Sequence, residues 1–112
     1  MPAELIRAEL AKLPLATPYS FVKTVASITV PELVSATSAP FTYANIQGKK
    51  TPRTNNTGIV YLGILGTNDT QYISIAIGAT LIIQAPVGMK FDLNQFYLDV
   101  ATAGDGVAVV YW

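Results

Sequence analysis

Between Gly58 and Val100 the chain carries four apolar runs: Ile59–Leu65, Tyr72–Ile77, Thr80–Ala85 and Phe96–Val100. Turn residues divide them: Gly66-Thr67-Asn68-Asp69, then Gly78, then Pro86-Val87-Gly88. Within Tyr72–Ile77 the residues alternate, with Ile73, Ile75 and Ile77 on one side and Tyr72, Ser74 and Ala76 on the other. A period of two predicts a strand with one buried, β-branched face. Strands this short cannot bury themselves singly, so they must pack into layered or closed sheets. The expected fold is mostly β, an antiparallel, jelly-roll-like sandwich of about seven or eight short strands with one short N-terminal α-helix.

The helix is expected over Pro2–Leu13. Pro2 suits a first turn, Leu5, Ile6, Leu10 and Leu13 form an apolar stripe, and Pro14 stops it. Glu4 and Lys12 sit at the ends of the helix dipole that favour their charges. A helix of about a dozen residues is marginal alone in water. The stripe must therefore dock, either on its own sheets or on a neighbour. Residues 1–18 are read as a helix and linker that serve attachment, and residues 19–112 as a single β domain.

Tyr19–Val30 predicts a strand with Val22, Ala26, Ile28 and Val30 on one face, ended by Pro31. Ser35–Pro40 is a loop, and Phe41–Ile46 a weaker strand. Gly78-Ala79 separates two runs so closely that a hairpin or one bent strand is expected. Asp105-Gly106 between apolar runs is a strong hairpin signal and is expected to pair Phe96–Ala101 with Val107–Trp112.

Charged residues make up only 12% of the chain, against roughly 25% in an average soluble domain. Low charge at high hydropathy fits either a β surface that uses Thr, Ser, Asn and Gln in place of charges or, the reading favoured here, surface covered by other subunits. The charge is also uneven. Six basic residues against three acidic ones lie up to Arg53, a net +3, and one against four follow it, a net −3. That asymmetry would suit head-to-tail contacts.

Catalytic chemistry finds little support. The chain has no histidine and no cysteine, which removes imidazole and thiolate chemistry, disulfides and the metal sites built on them. Paired-carboxylate hydrolysis would need two of Asp69, Asp92, Asp99 and Asp105 in one cleft, and most of these stand at turns, where aspartate has a structural use. Asp105 with Asp69 or Asp99 could offer oxygen ligands, but no calcium-loop spacing is present. No enzyme, metal or cofactor is expected. Asn55-Asn56-Thr57 and Asn68-Asp69-Thr70 match the glycosylation pattern and are read as turn residues.

Lys49, Lys50 and Arg53 form a basic loop, but no aromatic lies among them to stack on bases, so no nucleic acid is expected. The uncharged span Thr70–Met89 alternates and contains Gly78 and Pro86, so no membrane helix is expected. Met1–Leu13 carries four charges (Glu4, Arg7, Glu9 and Lys12) and lacks the apolar core of a signal peptide.

From Asn56-Thr57-Gly58 the chain enters Val60-Tyr61-Leu62-Gly63. It continues through Ile77-Gly78-Ala79, Phe91-Asp92-Leu93, Phe96-Tyr97-Leu98-Asp99-Val100 and a final Gly104-Asp105-Gly106-Val107. Over Lys49–Trp112 this resembles the small β-sandwich accessory proteins of tailed bacteriophage virions, which decorate or cement capsids or sit at necks and head fibres. The resemblance implies a structural virion protein, made in the host cytoplasm and acting through apolar contacts with the major capsid protein or another virion protein. A homo-oligomer such as a trimer is expected. The contact residues expected are Leu5, Ile6, Leu10, Leu13, Tyr111 and Trp112. The alternative is a carbohydrate-binding module that uses exposed tyrosines such as Tyr61, Tyr72 and Tyr97.

Overall fold

The computed structural model describes residues 17–50 and 55–112. The helix expected over Pro2–Leu13, with its stripe Leu5, Ile6, Leu10 and Leu13, lies outside the described residues, and so does Arg53.

The described residues are mostly β. The strands are β1 (Tyr19–Thr24), β2 (Glu32–Leu33), β3 (Pro40–Phe41), β4 (Tyr43–Gly48), β5 (Val60–Gly63), β6 (Ile73–Ile75), β7 (Thr80–Gln84), β8 (Phe91–Asp92), β9 (Tyr97–Val100) and β10 (Gly106–Tyr111). One antiparallel sheet has the order β1-β10-β4-β7 and a second the order β2-β9-β5-β6. β3 and β8 add a two-stranded ribbon, so the described residues hold ten strands against the seven or eight expected; Pro40, expected to end a loop, opens β3.

Both sheets contribute to one core. Alternate residues of the first sheet (Ala44, Ile46, Val107 and Val109) join Val60, Leu62, Leu98 and Val100 of the second. Phe41 and Leu93 are fully buried in the same cluster, with Phe91 and Phe96 packed on it. The alternation that defines each strand therefore also defines which side chains leave water.

Three expectations are corrected. The first strand ends at Thr24 rather than Val30, and its faces are the reverse of those expected. Register with β10 sets Phe21 opposite Val109 and Val22 opposite Ala108, so Phe21 packs on the core while Val22 is 51% exposed. Beyond Thr24 the chain turns: Glu32 accepts from the Ala26 amide at 2.7 Å and from Lys23 Nζ at 2.9 Å, closing a loop that leaves Ile28 and Val30 exposed.

Second, the Asp-Gly pair makes no hairpin. β9 pairs with β2 and β5, while β10 pairs with β1 and β4, so Ala101–Asp105 crosses from one sheet to the other. Asp105 is 4% exposed and accepts from the Gly58 amide at 2.8 Å and from the Thr57 amide. Asn56 donates to the Gly106 carbonyl and accepts from the Gly106 amide. Tertiary partners thus use the groups that a tight hairpin would have used. Gly106 is required here: a Cβ would stand 1.9 Å from the Lys23 carbonyl oxygen.

Third, Gly78-Ala79 is likewise a crossing, because β6 and β7 lie in different sheets. Four crossings (β1 to β2, β4 to β5, β6 to β7, β9 to β10) meet at one end. Backbone bonds from Val25 to Asp105, Gly104 to Val25, Lys49 to Gly106 and Gly78 to Gly48 join them there. The β5–β6 hairpin, the start of β1 and Trp112 belong to the opposite end.

At that opposite end Asp92 caps the 3₁₀ turn Leu93–Gln95, accepting from the Asn94 amide while Gln95 reaches back to the Asp92 amide. Its carboxylate also accepts from the Ser38 hydroxyl and the Ala39 amide, fastening two connections together. Burial pushes the Asp92 carboxyl up, but the Ser38, Ala39 and Asn94 bonds outweigh it and leave the group below its ordinary value. Glu32 is also lowered, by the Ala26 amide first and then by Lys23.

Two outcomes are expected. Asp105→Ala strands two amides at the crossing end and lowers unfolding free energy by about 2–3 kcal/mol in urea titrations. The lowered carboxyls stabilise the fold above their unfolded pKa values, about 3.9 for Asp and 4.3 for Glu. That contribution is lost as pH falls through their folded values, so Tm declines below about pH 4. Asp92→Asn and Glu32→Gln should each make the decline shallower.

Candidate interaction surface

The β5–β6 hairpin has two halves. Its polar half knits the loop together: Thr70 donates to the Thr67 carbonyl at 2.6 Å, and Gln71 Nε2 donates to the carbonyls of Leu65 and Thr67. Asp69 takes the left-handed conformation, with φ of 63°, a backbone state that Asp and Asn tolerate better than most residues. Gln71 is 6% exposed, and its Oε1 is buried with no partner. Gly63 makes this closeness possible, since a Cβ there would stand 2.8 Å from Gln71 Cα.

The apolar half faces outward. Tyr72 is 80% exposed, Ile64 71%, Leu65 53% and Ile73 47%. With Leu62 they line an almost wholly apolar groove of about 410 Å³. β6 is the edge of its sheet, so the groove borders unpaired backbone that another chain could meet. Because its own side chains fix the loop, the apolar surface is held in shape before anything docks, which lowers the ordering cost of binding.

This cluster was only partly visible in the sequence. The unbroken run Ile59–Leu65 fits a strand buried on both sides or one that meets a partner, and Ile73 and Ile77 are expected in the core. Only Ile75 is buried, while Ile73 and Ile77 are exposed. Ile75, the last residue of the edge strand β6, is covered opposite buried Val60, whereas Ile73 at the hairpin side and Ile77 beyond the strand are left uncovered.

The residues expected to meet partners are placed as follows. Tyr111 turns inward, stacking on Tyr19 at 5.3 Å with Phe21 edge-on at 6.0 Å. Trp112 stacks on Tyr43 at 4.6 Å and remains partly exposed. These contacts bind each aromatic to its own chain, at spacings typical of favourable ring pairs. Tyr61 and Tyr97 share the outer side of the second sheet on adjacent strands, alternating with buried Val60, Leu62 and Leu98, whereas Tyr72 lies in the hairpin groove.

The basic loop is divided. Lys49 is 3% exposed and donates from Nζ to the Gly104 carbonyl at 3.0 Å, so it pins two crossings instead of facing solvent. Lys50 is exposed and lies over Gly78, its Cδ 2.8 Å from where a Cβ would be. The outer side of the first sheet carries no charge over Ser20, Val22, Asn45, Thr80, Ala108 and Val110 and is shallowly concave.

Asp69, Gln71 and Asp99 line a second concavity of about 380 Å³. Asp99 is buried and accepts from the Val100 amide. Among the described residues no three acidic side chains gather as metal ligands do, and Asp105 is engaged by backbone amides. Among the same residues, no helix is long and apolar enough to cross a membrane. Comparison with protein-family models, curated proteins and solved structures finds no match.

Replacing Ile64 and Tyr72 by serine should leave stability within about 0.5 kcal/mol, because neither supports the core. The same double variant should lower fluorescence of the apolar dye ANS bound to the folded protein. An unchanged dye signal would mean that the groove is not the accessible apolar surface in solution.

Proposed function

We propose that this chain is a structural protein of a tailed-bacteriophage particle, seated on a capsid, neck or head-fibre component through apolar contact. The observation that carries the reading is the uncovered surface of Ile64, Leu65, Tyr72 and Ile73 on a hairpin already fixed in shape. Burying it in an assembly removes apolar area from water, worth about 25 cal/mol per Å² before the costs of association. The low charge of the chain limits the desolvation that opposes such burial.

In this reading the two sheets face one another as a jelly-roll sandwich. The orders β1-β10-β4-β7 and β2-β9-β5-β6 support it, because each connection at the crossing end joins strands at matching positions of the two sheets. Jelly rolls occur in viral capsid proteins and in lectins, so the fold by itself does not choose between them. The resemblance over Lys49–Trp112 favours the virion.

The reading is tested on phage particles whose genome encodes this sequence. Mass spectrometry of purified particles should find the chain at a fixed ratio to the major capsid protein. Particles grown with the Ile64→Glu, Leu65→Glu variant should lack it. A chain confined to the unassembled fraction would overturn the assignment.

A further inference from the structure

We propose that the concavity lined by Asp69, Gln71 and Asp99 binds a divalent cation, with calcium the best match. The site does not depend on what the apolar hairpin surface meets.

Register brings the three residues to one place. Tyr61 stands opposite Asp99, and Gly63 opposite Tyr97. These four share the outer side of β5 and β9, because buried Val60, Leu62, Leu98 and Val100 take the inner side. On the outer side the β5–β6 loop folds back over the sheet. Gln71 Cα is 2.8 Å from where a Gly63 Cβ would stand, and the Tyr97 ring is 2.9 Å from where a Gly66 Cβ would stand. Ile28, from the β1–β2 connection, lines the same concavity. Asp99 is thus only 5% exposed although it points away from the core.

The oxygens gathered here lack partners. Gln71 is 6% exposed, and its Nε2 is turned into the loop, toward the Leu65 and Thr67 carbonyls. The amide is planar, so Oε1 points away from those carbonyls. It is the one buried side-chain oxygen or nitrogen of the described residues without a hydrogen bond. Asp99 accepts from the Val100 amide through Oδ1 and, among the described residues, makes no ion pair. Asp69 meets the Asn68 side chain at 3.5 Å, the long limit of a hydrogen bond. The carboxylates of Asp92 and Asp105, by contrast, are engaged by backbone amides at 2.8 Å.

Ionised carboxylates and an amide oxygen can only accept, and a buried charge is normally paired or bound to a metal. Two carboxylates with one neutral oxygen suit a charge of +2. Calcium takes about six to eight oxygens in flexible geometry at about 2.3–2.6 Å, whereas magnesium demands a near-ideal octahedron and sheds water reluctantly. Asp69 is exposed, so water can complete the shell on its side. With an amide oxygen in place of a third acid, the affinity falls in the weak range, about 0.1–1 mM. The ion would join β9 to the loop whose other half presents Ile64 and Leu65, and so brace that loop against the sheet.

The test is a calcium chloride titration of the isotopically labelled full-length protein, followed by NMR at constant ionic strength. The expected result is a saturable, one-to-one shift of the Gln71 side-chain amide and the Asp69, Asp99 and Val100 backbone amides. Magnesium should need at least about tenfold more. Asp69→Asn and Asp99→Asn should each raise the calcium midpoint at least about tenfold, because ligand charge sets affinity in such sites. Both variants are conservative: asparagine tolerates the left-handed backbone at position 69, and at position 99 it keeps an oxygen for the Val100 amide. Asp92→Asn, outside the concavity, should leave the midpoint unchanged. No saturable shift at millimolar calcium would overturn the proposal. So would an equal response to magnesium, or a calcium midpoint unmoved by Asp69→Asn, since either would mean diffuse screening of surface charge. If Asp99→Asn fails to fold, Asp69→Asn decides alone.

Discussion

Asn56 and Asp105 hold the place where the chain changes sheets. Asn56 clasps both backbone groups of Gly106, and Asp105 gathers the amides of Thr57 and Gly58. Lys49 adds a third tie, to the Gly104 carbonyl. A crossing loop exposes backbone donors and acceptors that no strand partner satisfies, and buried groups of that kind are costly when left alone. These three side chains supply the missing partners. They let β9 and β10, neighbours in sequence, belong to different sheets, and the register of every strand beside them depends on that separation.

The opposite end has a different construction. Asp92 fastens the β8 turn to the Ser38-Ala39 loop, and the β5–β6 loop is cross-linked by Thr67, Thr70 and Gln71 Nε2, with only Gln71 Oε1 left without a partner among the buried side-chain atoms of the described residues. A loop held by its own hydrogen bonds can turn apolar side chains toward water without losing its shape. That division places Ile64, Leu65 and Tyr72 on the outside as a formed surface. A surface formed in advance avoids the cost of ordering a loop on contact, which would consume part of the energy that burial supplies.

Alternation made the strands legible. β7 begins and ends within a residue of the run Thr80–Ala85, and Leu98 and Val100 share a buried face as their spacing requires. Where the sequence misled, long-range partners were the cause. Asp105-Gly106 carries the local chemistry of a hairpin, but its carboxylate is used forty-seven residues away, at Gly58. In β1 both Phe21 and Val22 could have faced inward, and pairing with β10 chose Phe21. The apolar hairpin surface was hidden for a similar reason: nothing within Tyr72–Ile77 shows that the strand lies at an edge, where only Ile75 is covered.

By itself the sequence determined the mostly β character of the chain, the approximate position of most strands, the absence of histidine and cysteine chemistry, and the low share of charged residues. Those properties follow from local periodicity and from composition, which need no knowledge of neighbours. Only the tertiary structure decided which strands pair, which of two apolar faces is buried, that Lys49 works as an internal tie, and that the uncovered apolar surface lies on the β5–β6 hairpin. Each of these depends on groups distant along the chain coming within hydrogen-bonding or packing distance, a condition that short-range pattern does not encode.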